Sequence, residues 1–161
     1  MGQILRLSSV VALAIVGASV SAQAAEVYFV IEAADGTSPP YEVTDEVVQR
    51  LGVTSFETTL PGMDDQKHKV SGPLMRDLLR DANIDASTVK AVAIDLYETD
   101  VPTVDFEDFD VIAAIELDGN KLSVRDKGPA WIVYPRSDKP ELDTASYEAR
   151  SIWQLKALTA E

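Results

Sequence analysis

Few side chains in this chain could do chemistry. Of its 161 residues one is histidine, His68, and none is cysteine, which excludes thiol catalysis and the usual zinc sites, since those need several nitrogen or sulfur ligands. His68 lies between Lys67 and Lys69, where flanking cations disfavour its charged form, and no carboxylate adjoins it in sequence. A serine triad built on it lacks the orienting acid, and it reads as an exposed loop histidine entering a strand. Gly72, Gly119 and Gly128 stand alone, so no phosphate-cradling glycine loop is present. The acids Asp105, Glu107, Asp108 and Asp110 lack the central glycine and distal glutamate of a calcium loop. They read as a solvated helix start, where carboxylates favour the positive end of the dipole.

The cations are more informative. The formal charge is −13, yet between Lys121 and Lys139 five cations, Lys121, Arg125, Lys127, Arg136 and Lys139, stand against two anions, Asp126 and Asp138. Such a reversal of sign can focus an anionic ligand; alternatively, these residues pair with acids elsewhere on the surface and contribute little. The acidity of the rest argues against nucleic acid and anionic membrane surfaces and favours solubility.

The elements that must position these residues are short and mixed. Residues 27–31 are apolar and β-branched, a buried strand closed off by Asp35-Gly36 and Pro39-Pro40. Thr44 precedes an amphipathic run, Val47, Val48 and Leu51, that Gly52 terminates, and 53–59 reads as a strand. Gly72-Pro73 opens the clearest helix, with Leu74, Leu78, Leu79 and Ala82 on one face and Asn83 as its left-handed stop. Strands are expected at 89–96, 111–117, 130–134 and 152–158, with Asp118-Gly119 as a hairpin turn returning through Leu122-Ser123-Val124. Strands between short helices in irregular order give an α+β fold.

The first residues have the grammar of an export signal: one cation, Arg6, an apolar run at 7–20, then Ala22-Gln23-Ala24. The apolar run is too short for a bilayer-spanning helix, so no membrane span is expected after processing. The expected organisation is a signal peptide at 1–24 and one domain at 25–161, periplasmic or secreted.

The stretch Leu122-Ser123-Val124-Arg125-Asp126-Lys127-Gly128-Pro129-Ala130-Trp131-Ile132-Val133-Tyr134-Pro135-Arg136 resembles the small exported members of the oxidoreductase molybdopterin-binding domain family. Further segments fall in the same order: Val70-Ser71-Gly72-Pro73-Leu74, then Ala93-Ile94-Asp95-Leu96-Tyr97 with Val101-Pro102, and Arg150-Ser151-Ile152-Trp153-Gln154-Leu155. The resemblance implies the sulfite oxidase-like fold, a mixed, mostly antiparallel sheet with short helices. It also implies that catalytic relatives bind molybdenum through a cysteine thiolate on the loop preceding Val70. Here that region, Thr58-Thr59-Leu60-Pro61 onward, has none. A threonine hydroxyl is a hard donor that ionises far above neutral pH and cannot replace it. The family loads its pterin in the cytoplasm and exports folded protein by the twin-arginine route, whereas this signal carries a lone Arg6.

The expectation is therefore a non-catalytic binding module, with no cofactor and molybdopterin implied by resemblance alone. Its ligand is a small anion or the periplasmic part of a membrane signalling protein. The alternative is a molybdopterin-dependent oxidoreductase, transferring oxygen atoms or electrons, that grips the pterin without a cysteine. The resemblance puts the candidate pocket at Arg125, Asp126, Lys127, Gly128 and Arg136, with His68 nearby and Tyr97, Trp131 and Tyr134 as flat walls. Trp131 reads equally as core, and Trp153 reads as core.

Overall fold

Apolar and β-branched runs become strands, and nearly all of them pair antiparallel. The structure, a computed structural model, describes residues 25–36 and 38–161; the expected export signal at 1–24 lies outside them. The first half forms β1 (Val27–Glu32), β2 (Tyr41–Thr44), α1 (Asp45–Leu51), β3 (Thr54–Thr58), β4 (His68–Gly72) and α2 (Met75–Asp81). The second half supplies β5 (Thr88–Ala93), β6 (Glu98–Pro102), α3 (Val104–Asp108), β7 (Ile112–Ala114), β8 (Glu116–Leu117) and β9 (Asn120–Lys121). It ends with β10 (Trp131–Val133), α4 (Ala145–Arg150) and β11 (Leu155–Ala160). The architecture is α+β. One sheet runs β2-β1-β11-β5-β6, a second β3-β4-β8-β9, and β7 with β10 makes a separate ribbon. Among the described residues only β1 and β11 pair in parallel. No helix among them is long and apolar enough to cross a membrane.

Local chemistry sets most boundaries. Gly52 takes φ +86 and its N–H returns to the Val48 carbonyl, ending α1 as its sequence suggests. Asn83 likewise stops the segment after α2 with φ +56. Asp118 and Gly119 both adopt positive φ, the two-residue hairpin geometry that joins β8 to β9. The return strand is only Asn120–Lys121, because Leu122 turns into the core and 124–126 wind into a 3₁₀ turn.

Three expected strands are cut differently. Strand β5 stops at Ala93, since Leu96 takes φ +71 and the chain turns back into β6. The run 111–117 breaks at Ile115 into β7 and β8, which belong to different sheets. Gln154, at φ +51, delays β11 to Leu155 and the strand then continues to Ala160. Strand β6, with Glu98, Asp100 and Pro102, escapes a propensity reading because acids and proline are depleted in strands. It is an edge strand, where they are tolerated.

Two apolar clusters share a wall. The larger joins the inner face of the five-stranded sheet to α1, α2 and α3; the smaller holds Leu60, Val70 and Leu122. The β7/β10 ribbon separates them. Its period of two sends Ala113 and Ile132 into the larger cluster and Ile112, Ala114, Trp131 and Val133 into the smaller. Strand β4 crosses this ribbon so closely that a Cβ on Gly72 would lie 1.9 Å from the Ala113 carbonyl oxygen. Replacing Gly72→Ala forces the backbones apart and is expected to destabilise the fold by about 3 kcal/mol, read as a lowered urea midpoint.

Candidate functional site

Lys127 is held in place by backbone. Ser123 Oγ donates to Asp126, the Gly128 N–H donates to the Ser123 carbonyl, and the peptide bond from Gly128 to Pro129 is cis. This compact turn leaves Lys127 in the left-handed region at φ +68. Gln154 ties the turn to the start of β11: its N–H donates to the Lys127 carbonyl at 2.9 Å and its side-chain amide to the Val124 carbonyl at 2.6 Å. The Lys127 ammonium consequently lies 4.0 Å from the ring centroid of Trp153 and 5.3 Å from that of Trp131, a double cation–π contact. The two indoles meet edge to face at 6.0 Å. The inner one is fixed by its N–H to the Ser151 carbonyl.

Beside this platform opens a cleft of about 400 Å³, within the range of small-molecule sites. Three segments line it. Pro61 and Gly62 come from the loop after β3; Ala93, Asp95 and Tyr97 from the end of β5 and the turn into β6; Glu148, Ala149, Ser151, Ile152 and Trp153 from the end of α4 and the segment after it. Gly62 packs beside both groups: a Cβ there would lie 3.5 Å from Lys127 Nζ and 3.8 Å from the Trp153 ring, so the ammonium sits next to a lining residue. From the β5–β6 turn the Tyr97 hydroxyl reaches the Ala149 carbonyl at 3.5 Å, and Asp95 accepts the Tyr97 N–H.

The residues expected to form the pocket are distributed unevenly about this cleft. Tyr97 lines it, and Lys127 borders it through Gly62 and Trp153. Arg125 is exposed on the 3₁₀ turn, and Asp126 is used by Ser123. Gly128 is a packing glycine, since a Cβ there would meet the Leu122 carbonyl at 2.6 Å. Trp131 and Tyr134 are fully buried. Arg136, largely buried, pairs with the exposed Asp143, and Lys121 pairs with Glu26. Lys139 lies over Phe109. Of the five cations of 121–139, two pair with acids, two rest on aromatic rings and Arg125 is exposed.

Trp153, expected from the sequence as core, instead lines the cleft, together with Asp95 and Glu148, which sequence reasoning did not single out. An extended run through 152–155 puts Trp153 and Leu155 on one face. The positive φ of Gln154 breaks that alternation, and Trp153 swings out while Ile152 and Leu155 stay buried. The polar Gln154 before Leu155 was the available hint.

Two buried or half-buried networks brace the cleft. Asp105, expected at a solvated helix start, is 4% exposed. It accepts from the Tyr134 hydroxyl and from Arg150, each at 2.9 Å, so the end of α4 is fastened to α3. Burial, followed by the Asp105 charge, pushes the Tyr134 phenol far up, and it stays a donor. His68, read from sequence as lacking a carboxylate, has two: Nδ1 meets Asp118 at 2.8 Å and Nε2 meets Asp64 at 2.9 Å. Folding brings both to it, one from the hairpin turn and one from the loop that carries Pro61 and Gly62. They raise the imidazole above its ordinary value, Asp118 most, while the histidine lowers both acids.

No family model and no curated protein matches the chain. Among solved structures it is similar to the crystal structure of the sulfane dehydrogenase SoxCD from Paracoccus pantotrophus, at a TM-score of 0.60 and 16% identity. The match covers 83% of this chain and 38% of that one, so this chain spans well under half of its neighbour's length. The likeness is one of fold alone: the sulfite oxidase-like, mixed and mostly antiparallel α+β architecture expected from the sequence.

The residues present do not fit the metal-bearing cofactor that this architecture implies. The segment expected to supply a thiolate offers Thr58, whose buried hydroxyl accepts from the Ser137 N–H and donates to the Thr59 carbonyl. Leu60 is committed to the core and Pro61 carries no donor.

Removing Arg150 leaves the Asp105 charge buried with one neutral partner; Arg150→Ala is expected to cost about 3 kcal/mol in urea denaturation. The His68 bridge gives a pH signature. A raised histidine pKa stabilises the fold fully below about pH 6.5 and stops doing so as pH rises through the elevated value. The lowered acids contribute above about pH 3.9 and fail as pH drops through their depressed values. The stability difference between wild type and His68→Gln should accordingly be greatest near pH 5.5 and shrink towards pH 9, as measured by urea midpoints.

Proposed function

We propose that this chain is a non-catalytic binding module built on a sulfite oxidase-like scaffold, whose cleft takes a small ligand with an anionic group and a flat apolar body. The observation that carries the reading is Lys127: its ammonium stands 4.0 Å from the Trp153 ring centroid at the margin of the cleft, and among the described residues it makes no ion pair. Indole faces keep the lysine extended and partly desolvated without consuming its three N–H donors. Trp153 and Tyr97 then offer the flat surfaces against which an apolar body lies. The absence of a thiol donor supports binding over metal-dependent transfer. Export to the periplasm belongs to the same reading, supported by the N-terminal apolar run and its small-residue exit.

A second reading, a docking site for a membrane signalling protein, is favoured by Ile94 and Leu96. These apolar side chains are 43% and 70% exposed on the turn that forms one wall of the cleft.

The test is calorimetric titration with 3-phenylpropionate, an anion with a flat apolar body. Binding is expected, and Lys127→Gln should weaken it about tenfold by removing a charged donor. An affinity unchanged by that substitution, or no heat of binding, overturns the reading.

A further inference from the structure

The cleft carries charge of both signs, brought to it by different segments. Lys127 lies beside Gly62 and Trp153, whereas Asp95 and Glu148 come from the segments that meet where Tyr97 touches Ala149. None of the three joins an ion pair among the described residues. Every described arginine except Arg125 is paired with a carboxylate, as are Lys90 and Lys121, whereas Lys67, Lys69, Lys139 and Lys156 join no ion pair among the described residues. Of Asp95's possible contacts, the structure uses one carboxylate oxygen, for the Tyr97 N–H.

A ligand bearing only negative charge would gain at Lys127 and be repelled by the two acids. One bearing only positive charge would meet the acids but face an ammonium already seated on the Trp153 ring, whose attraction for a second cation is thereby reduced. Both penalties vanish for a ligand of matching polarity, because complementary potentials give specificity by excluding the wrong sign.

Building on the binding reading above, we propose that the cleft selects a small zwitterion. Its anionic group faces Lys127, its ammonium faces Asp95 and Glu148, and its apolar body lies between Tyr97 and Trp153. Amino-acid-like molecules with a flat side chain have this chemistry. The net charge of −13 makes the distinction sharper, since the long-range field of the chain repels a simple anion and leaves a neutral zwitterion unaffected.

Three probes with one phenyl body separate the possibilities: 3-phenylpropionate carries the anion alone, 2-phenylethylamine the cation alone, and L-phenylalanine both. Titrations are followed by NMR at the Trp153 indole N–H and the Tyr97 amide. L-Phenylalanine is expected to bind about tenfold more tightly than either single-charge probe. The exposed pair Asp95→Asn and Glu148→Gln should abolish that advantage while leaving 3-phenylpropionate bound, with an otherwise unchanged amide spectrum. If 3-phenylpropionate binds as tightly as L-phenylalanine, the zwitterion inference falls and the anion-binding reading stands. If neither perturbs the two reporters, or if 2-phenylethylamine alone does, both fall.

Discussion

A two-stranded ribbon with no solvent face governs this molecule. Strands β7 and β10 are buried on both sides, so each of their residues is committed to one of two apolar clusters by the two-residue period alone. A slip of one residue would exchange the faces, sending Trp131 and Val133 into space shaped for Ile132. The same ribbon sets the distance to β4, where only a glycine at position 72 lets the two backbones approach. The candidate site inherits this rigidity, since Trp131 is the inner wall against which Trp153 and then Lys127 are stacked.

Electrostatics follows a similar division between what holds the fold and what faces outward. Asp105 is stabilised by two donors at the cost of desolvating a charge, and the gain is a fixed end for α4. Arg50 and Tyr41 both reach Asp81, whose carboxyl is lowered to about 2, chiefly by the arginine. That cluster joins β2, α1 and α2 at the surface. The acids and the lysine around the cleft join no ion pair; Asp95 accepts the Tyr97 N–H and Lys127 rests on two indoles.

Much of the fold was legible from local signals. Gly52, Asn83 and the Asp118-Gly119 pair announce their turns because each must adopt a backbone conformation that other residues resist. The stretch around Lys127 was legible as the place for a site because its charge runs against that of the whole chain. The rest was hidden for identifiable reasons. Arg125 and Lys127 are two residues apart, but the 3₁₀ turn between them sends one to solvent and the other onto an indole. Tyr134 and Trp131 differ from Tyr97 only in what folds over them, which no single-chain pattern records. His68 met its two carboxylates through a hairpin fifty positions away and a loop of irregular shape. Trp153 was misjudged because one residue of positive φ inverted the expected alternation.

Strand β11 occupies the middle of the five-stranded sheet, between β1 and β5, with Val30 in register with Ala157. A nascent chain emerging from a ribosome can therefore make the β1–β2 and β5–β6 hairpins early, yet the two halves of that sheet stay unjoined until residues as late as Ala160 are free to insert between them. Closing so long a loop has a large entropic cost before any contact rewards it. Such a topology delays the joining of this sheet until β11 has been synthesised, and any truncation ahead of β11 would leave two open sheet edges in search of a partner.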